Sequence, residues 1–358
     1  MAAKGIEEEH MKVFLTGGTG FIGQPLTKSL LGRGWDVTAL VRKPDSPRAQ
    51  ALGKMGAKLA TGDITERESM RVPMSGAEIV VHNAGQYEVG LDRAGKQRMH
   101  KTNVDGTENV LGLAYELSIP RTIYVSTTQA FGDTGQQLRN ETFTRQFPCR
   151  TTYEQTKTDA HAIACQYQQR GLPLVIVCPN GVIGENDQSF IGYLIRLYVN
   201  HILPPVAWSP KAGATFVALN DLVEGITLAV EKGRTGETYF LCGESISVRE
   251  CFDLLRRKPG AFAPRVWLPA GLMGAMLAPL EPLERKLGLP AFLSREAVLT
   301  ASTNWYYSND KAKRELGWTP CCAEAVWNEA IEGELELLSR RKGHNLIKRL
   351  KPLDTVEA

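Results

Sequence analysis

An apolar stretch that breaks into three spaced glycines constrains this chain more than any other feature. The run from Lys12 to Leu15 is suited to a buried strand, and Gly17, Gly20 and Gly23 lie between it and a segment with helical spacing of apolar residues. Gly17 suits a sharp turn, Gly20 lets a phosphate approach the main chain, and Gly23 seats the helix on the sheet. The helix start offers unpaired N–H groups and a positive dipole end. The sequence therefore predicts a strand, a phosphate-binding turn and a helix.

Composition and charge exclude several classes of protein. The 358 residues include 43% hydrophobic ones, enough for a large core, and a net charge of +3 is too small to indicate a nucleic-acid partner. No apolar run reaches about 18 residues, so no membrane span is expected. Residues 1–10 lack the apolar segment of a secretory signal, and the seven cysteines form no Cys-x-x-Cys pair, which together favour reduced thiols in the cytoplasm.

Alternating strand and helix signals fill the first half. Short apolar runs predict strands at residues 35–41, 57–61, 79–82, 121–125 and 174–178, and helical patterns cover residues 20–32, about 94–117 and 151–170. A further helix is expected to start at Thr65 with Glu68 as its capping-box partner. Such repetition predicts an α/β fold with a doubly wound parallel Rossmann sheet.

The end of the second strand bears on cofactor choice. In dinucleotide-binding folds an acid at this point holds the adenosine ribose, whereas a cation receives a 2′-phosphate. Arg42 and Lys43 follow Val41, and no acid is present. We therefore predict NADP as the cofactor, with NAD as the alternative.

Tyr153 and Lys157 form a chemical pair. Their i, i+4 spacing places both side chains on one face of a helix, where an ammonium favours the phenolate. Proton transfer near neutral pH needs a tyrosine pKa below its usual value of about 10. The pair therefore predicts a tyrosine acid/base assisted by a lysine. His82, His161 and His201 show no ligand spacing, so no metal site is expected.

Several motifs in a fixed order resemble the extended short-chain dehydrogenase/reductase family, closest to its dihydroflavonol reductase and 3β-hydroxysteroid dehydrogenase branch. The resemblance covers residues 11–335. Its motifs are Thr16-Gly17-Gly18-Thr19-Gly20-Phe21-Ile22-Gly23, Gly62-Asp63-Ile64, Asn103-x-x-Gly106-Thr107, Val125-Ser126-Thr127-Thr128, Tyr153-x-x-x-Lys157, Pro179-x-x-x-x-Gly184 and the stretch from Tyr307 to Trp318.

The resemblance implies a role for each matching residue. Tyr153 is expected to be the general acid/base, Lys157 to hold the nicotinamide ribose, and Thr127 to bind the reacting oxygen, with Thr128 or Ser126 as substitutes. Asn103 is expected to support the active-site helix and a proton relay. The expected cofactor-binding residues are Gly17, Thr19, Gly20, Phe21, Ile22, Gly23, Arg42, Lys43, Asp63, Ile64, Asn83, Ala84, Gly85, Lys157 and Pro179; those near the substrate are Thr128, Tyr87 and Gly181.

Residues in the second half of the chain indicate which of two activities within the family is favoured. Sugar-nucleotide epimerases and dehydratases usually have an asparagine where this chain has Gly181, and an arginine where it has Ala214. Both residues would hold a nucleotide diphosphate. Asn180 and Lys211 lie close by and are candidates to compensate. The differences favour a reductase or dehydrogenase over an epimerase or dehydratase that uses bound NAD.

Apolar residues recur with helical spacing from Trp267 to Pro290. A core stripe is the first interpretation. Together with Tyr193, Trp208, Trp305 and Tyr306, the segment is also a candidate wall for a bulky apolar substrate, and contact with a membrane surface is a third interpretation.

The sequence thus predicts an NADP-binding Rossmann domain at 11–180, to which 213–243 returns. A smaller, mostly helical substrate-binding domain is expected at 181–212 and 244–338, with tails at 1–10 and 339–358. The favoured function is hydride transfer between a ketone or aldehyde and an alcohol on a mid-sized, largely apolar molecule. The alternatives are the epimerase or dehydratase and a non-catalytic dinucleotide sensor, which intact Tyr153, Lys157 and Thr127 disfavour. The family resemblance also implies a homodimer through the helices containing Asn103 and Tyr153.

Overall fold

A parallel sheet forms the centre of the protein. The computed structural model describes residues 10–88, 90–184, 187, 189–258, 263–286, 294–341 and 343. The strands are β1 (Lys12–Thr16), β2 (Asp36–Val41), β3 (Lys58–Thr61), β4 (Ile79–His82), β5 (Arg121–Val125), β6 (Leu174–Pro179), β7 (Val182–Ile183), β8 (Val206–Trp208), β9 (Gly213–Thr215), β10 (Val217–Ala218), β11 (Thr238–Leu241), β12 (Ser245–Ser247) and β13 (Val266–Leu268). Seven of them form one sheet in the order β11-β6-β5-β4-β1-β2-β3.

Helices follow most strands. They are α1 (Gly23–Gly32), α2 (Pro47–Met55), α3 (Arg67–Met74), α4 (Arg93–His100), α5 (Gly106–Glu116), α6 (Thr152–Gln169), α7 (Phe190–Val199), α8 (Leu219–Lys232), α9 (Val248–Arg257), α10 (Ala270–Leu277), α11 (Glu281–Lys286), α12 (Arg295–Ala301), α13 (Asp310–Leu316) and α14 (Ala323–Arg340). A π-helical turn at Lys101–Asp105 joins α4 to α5.

Three buried clusters make up the core. Residues of α1, α8 and α13 cover one face of the central sheet, and residues of α5 and α6 cover the other. The third cluster lies among α7, α9, α10, α12 and α14. The central strands carry apolar side chains on both faces because helices bury both, as expected for a parallel sheet. This arrangement confirms the predicted doubly wound α/β fold.

The pairing of β1 with β4 shows how the sheet brings the site together. Thr16 at the end of β1 lies opposite His82 at the end of β4, and β4 in turn pairs with β5. Because parallel strands end at the same edge, the residues that follow β1, β2, β4 and β5 meet there. Within the part of the chain that the structure describes, no helix has the length and apolarity needed to cross a bilayer.

Most predicted boundaries hold to within one residue, but three helices differ. Helix α1 begins at Gly23, three residues after the predicted start at Gly20. The predicted long helix is interrupted by the π-helical turn. The helix expected to start at Thr65 begins at Arg67, so the predicted capping box is wrong. The carboxylate of Asp63 explains the delay: it accepts the backbone N–H and the hydroxyl of Thr65, both at 2.9 Å, and holds this residue in a turn. Glu68 instead binds Arg71 at 2.6 Å.

The apolar segment 267–290 is not one continuous helix, and much of it is not core. Trp267 and Leu268 belong to β13, while Met273 and Leu277 of α10 are buried. The opposite side of α10 is exposed, with 50% for Leu272 and 51% for Met276, and so are residues 278–280, which follow it. Residues 287–290 lie outside the described part. The interpretation as a core stripe is therefore correct only for the buried side of α10.

Candidate functional site

The glycine turn has the geometry that its sequence predicts. Gly17 adopts a left-handed φ of +74°, and a Cβ there would lie 2.7 Å from the backbone of Ala84. A Cβ on Gly23 would lie 2.7 Å from the Cα of Gly18, which explains the close seating of α1. Gly17, Thr19, Gly20, Phe21 and Ile22 line one large cavity of about 1050 Å³, whereas Gly23 lies behind its wall.

The carboxyl ends of β2 and β3 extend this cavity. Val41, Arg42, Asp63 and Ile64 line it. Lys43 is exposed and is not among the lining residues. Arg48 of α2, which the sequence analysis missed, does line the cavity. Arg42 precedes α2 and Arg48 lies within it, six residues later. The period of a single strand or helix therefore does not predict that the two side chains lie near each other.

The end of β4 is held by buried hydrogen bonds. Thr16 Oγ1 lies 2.8 Å from His82 Nδ1, and the other ring nitrogen lies 3.1 Å from Thr107 Oγ1. Burial, with the positive charge of Lys157, lowers the pKa of His82 to about 3, so this histidine remains neutral. The bonds fix the start of the following loop, whose residues Asn83, Ala84 and Gly85 line the cavity.

Three predicted catalytic side chains meet where β5 ends and α6 begins. Tyr153, Lys157 and Thr127 all line the cavity, and the Thr127 side chain lies near enough to Tyr153 to lower its pKa. Lys157 Nζ lies 3.3 Å from the hydroxyl of Tyr124 and 3.3 Å from the carbonyl oxygen of Val125. It also lies 5.0 Å from the centre of the Tyr124 ring. Helix α6 begins at Thr152, one residue after the predicted start, and the hydroxyl of Thr151 caps it.

Burial and charge shift the pKa values of Tyr153 and Lys157 in opposite directions. Burial raises the pKa of Tyr153, whereas the charge of Lys157 and the neighbouring Thr127 side chain lower it, and the net direction is upward. The predicted lowering by Lys157 is thus present but is outweighed by desolvation. Burial likewise lowers the pKa of Lys157, and Tyr153 raises it. Each group therefore favours the charged form of the other.

Asn103 lies behind the cavity and not in its wall. Its side-chain amide accepts the N–H of Gln86 at 2.7 Å and donates to the carbonyl of the same residue at 2.9 Å. It also donates to Thr156 Oγ1 on α6 at 3.1 Å. Asn103 thus connects the π-helical turn, the β4 loop (residues 83–88 and 90 as described) and α6.

The far half of the cavity is apolar. Tyr87 lines the cavity, with its ring edge-on to Tyr153 at a centroid distance of 4.8 Å. Beyond them the wall is formed by Asn180, Gly181, Ile191, Leu194, Ile195, Ala207, Trp208, Ala214, Phe216, Val248, Cys251, Phe252, Trp305 and Trp327. Large apolar side chains in a cavity that also contains the catalytic group suit an apolar ligand.

The expected apolar wall is only partly correct. Trp208 and Trp305 line the cavity, but no residue of 263–286 does, nor do Tyr193 and Tyr306. Helix α10 directs Met273 and Leu277 into the neighbouring core instead. Thr128 is also absent from the wall: its side chain is fully buried, and its hydroxyl has no hydrogen-bond partner among the described residues.

A sequence comparison identifies the family. The model of the NAD dependent epimerase/dehydratase family matches residues 13–242. The chain belongs to this family. It is an NAD(P)-dependent enzyme of the extended short-chain dehydrogenase/reductase type, as the motifs predicted.

Named relatives of this NAD(P)-dependent enzyme include reductases. It is 32% identical over 315 residues to a 4-hydroxy-2-methyl-3-oxo-4-farnesyl-3,4-dihydroquinoline-1-oxide ketoreductase of Stigmatella aurantiaca, with 86% of this chain and 92% of the relative covered. It is 29% identical over 327 residues to sterol demethylase protein B of Methylococcus capsulatus, covering 90% and 97%. The crystal structure of gox2253 superposes with a TM-score of 0.73 at 28% identity, covering 90% and 97%.

Two acidic residues near the cavity of this epimerase/dehydratase-family enzyme had no sequence signal. Asp187 lines the apolar half and accepts the backbone N–H of Ser189 at 2.7 Å and its hydroxyl at 2.9 Å. Burial raises the pKa of Asp187 to about 6. Glu296 of α12 reaches the start of α6. Both were missed because they belong to no motif and reach the site only through the tertiary fold.

Proposed function

We propose that this enzyme uses NADP to interconvert a ketone or aldehyde and the corresponding alcohol on a mid-sized, largely apolar molecule. One observation carries the proposal: Tyr153, Thr127 and Lys157 lie in a single cavity between a dinucleotide-type glycine turn and an apolar chamber. The cradle at Gly17 and Gly20 and the cations at Arg42 and Arg48 fit a dinucleotide with a 2′-phosphate.

The cofactor, when bound, supplies or accepts the hydride at the reacting carbon. Tyr153 donates its phenolic proton to the oxygen as the carbonyl is reduced, and it takes that proton back when the alcohol is oxidised. Thr127 orients the same oxygen by a hydrogen bond. Lys157 stabilises the phenolate left on Tyr153 by its charge.

The substrate class is proposed from the chamber. Indole, phenyl and branched aliphatic side chains surround it, and two relatives carry names with a farnesyl-substituted quinoline and a sterol. Apolar area removed from water stabilises a bound ligand by about 25 cal/mol per Å² before the costs of ordering it. An extended apolar scaffold with its carbonyl at the Tyr153 end therefore suits the cavity.

The alternative is a sugar-nucleotide epimerase or dehydratase that uses bound NAD, which the family name allows. Two features of the packing disfavour this alternative. Ala214 is buried where such enzymes are expected to place an arginine, and the ring of Phe216 occupies the space beside Gly181. A nucleotide diphosphate is poorly held without cations and donors.

A cofactor-consumption panel separates these activities. Purified protein is mixed with NADPH or NADH and with sterol ketones, long-chain ketones and aldehydes, and sugar nucleotides. We expect NADPH to disappear one for one with alcohol formed from an apolar ketone or aldehyde. Conversion of a sugar nucleotide with no net change in nicotinamide absorbance would contradict the proposal.

A further inference from the structure

Glu296 of α12 binds two segments that flank Tyr153. One carboxylate oxygen accepts the backbone N–H of Thr152 at 3.1 Å. The other accepts the backbone N–H of Gly90 at 2.9 Å. The two donors lie 144 and 206 positions away in the sequence. A single side chain therefore joins α12, the catalytic helix and the β4 loop.

The first contact fixes the end of α6 from which Tyr153 projects. Thr151 caps the helix by accepting the N–H of Glu154 at 3.0 Å, and Thr152 is the first helical residue. The N–H of Thr152 is one of the donors that a helix leaves unpaired at its start. A carboxylate at this position satisfies the donor and is favoured by the helix dipole.

The second contact holds the loop that carries Tyr87. Asn103 already binds the loop at Gln86, and Glu296 binds it at Gly90. Tyr87 lies between these two anchors, and its ring meets Tyr153 edge-on. The distance between the two phenol rings thus depends on contacts at both ends of the loop.

We propose that Glu296 is a positioning residue that sets the geometry around the catalytic tyrosine by fixing Tyr87 against Tyr153. This inference rests on the proposed role of Tyr153. Glu296 holds the two walls between which the carbonyl must sit, and it makes no contact with the glycine turn. Loss of Glu296 therefore lowers kcat and leaves dinucleotide affinity unchanged.

Two variants remove the contacts separately. Glu296→Ala removes both. Thr152→Pro removes only the contact at the start of α6, since proline has no backbone N–H. The helix itself should be kept, because proline is well tolerated at the first helical position. Thr151 already has φ −127° and ψ 158°, the extended conformation favoured before proline. Ser46 and Pro47 show the same arrangement at the start of α2.

A double-variant cycle with Tyr87→Leu distinguishes positioning from stability. We expect Glu296→Ala to lower kcat about tenfold, as for loss of hydrogen bonds to a charged group. Thr152→Pro should lower it severalfold. In a protein that already carries Tyr87→Leu, Glu296→Ala should lower kcat little further, because the residue through which Glu296 acts has already been replaced. The dissociation constant of NADPH, measured by fluorescence, should not change.

Glu244→Ala is the matched control. Glu244 accepts the N–H of Ala323, the first residue of α14, at 3.2 Å, so this variant loses the same type of contact elsewhere. It should keep the wild-type kcat. Strictly additive losses in kcat from Glu296→Ala and Tyr87→Leu, or an unchanged kcat in both Glu296→Ala and Thr152→Pro, would overturn the inference. If Tyr153→Phe retains full turnover, the proposed function itself fails.

Discussion

The ring of Phe216 lies against the α-carbon of Gly181 so closely that no side chain fits there: a Cβ on Gly181 would lie 2.6 Å from the Cε1 of Phe216. Family members that bind sugar nucleotides are expected to place an amide side chain at this position. Here an aromatic ring of the apolar chamber takes its place. The contact is thus part of the reason why the chamber suits an apolar ligand.

Gly181→Ala should destabilise the protein by about 1–3 kcal/mol, because the added methyl group must displace the Phe216 ring. Phe216→Ala in the same chain should recover part of that loss, which denaturant unfolding measures. Gly333→Ala is the control: it lies within α14 with no atom close to a new Cβ, so it should be neutral or stabilising by up to about 1 kcal/mol. Equal costs at the two glycines would contradict the close packing.

Lys157→Met should shift the pH dependence of alcohol oxidation upward. Lys157 lowers the pKa of Tyr153 against the raising effect of burial. Without the ammonium the pKa rises further, so the basic form of Tyr153 becomes available only at higher pH. The pH–rate profile of kcat should move to the alkaline side, with a fall of at least about tenfold at pH 7. A reduced rate with an unmoved profile would contradict this role.

Asp187→Asn should change the pH dependence of stability. The carboxyl group has a pKa of about 6 in the folded protein against about 3.9 in the unfolded chain. Between these values the native state holds more protons, so the free energy of unfolding falls as pH rises, by about 3 kcal/mol in total. Glu141, Glu154 and Glu334 also have raised pKa values and remain in the variant, so urea unfolding from pH 4 to 7 should show a steeper decline in the wild type than in the variant. Parallel curves would contradict the assignment.

Arg42→Ala should weaken NADPH binding about tenfold to a hundredfold and change NADH binding much less, because only NADPH has the 2′-phosphate. Titration with both cofactors measures the effect. Arg48→Ala should act in the same direction, and Lys43→Ala should have a smaller effect, since Lys43 is exposed and does not line the cavity. Equal losses for the two cofactors would exclude a 2′-phosphate contact at Arg42.

The sequence predicted those parts of the molecule that depend on local patterns. Strands β4 and β5 were placed to the residue, and α6 to within one, since apolar runs mark the strands and helical spacing marks the helix. The parallel fold then brought Gly17, Thr127 and Tyr153 to one cavity. These features need only strand direction and helix spacing.

Contacts between distant segments were beyond the sequence. The outer face of α10 has the same spacing as a core stripe, and only the fold shows that Leu272 and Met276 lack a covering element among the described residues. Phe216 and Glu296 reach the site from segments without motifs. The sequence did not show that Asp63 would hold Thr65 in a turn and delay the start of α3. Turns and helix caps use the same residue types, so the pattern fits both.

Tyr153→Phe separates proton transfer from cofactor binding. The variant keeps the ring and its packing against Tyr87 but lacks the proton that the carbonyl oxygen must receive. With NADPH and a ketone that the wild type reduces, kcat should fall by about 100-fold or more while the dissociation constant of NADPH stays within about twofold. An unchanged kcat with the cofactor bound would contradict the account of Tyr153 as the general acid/base.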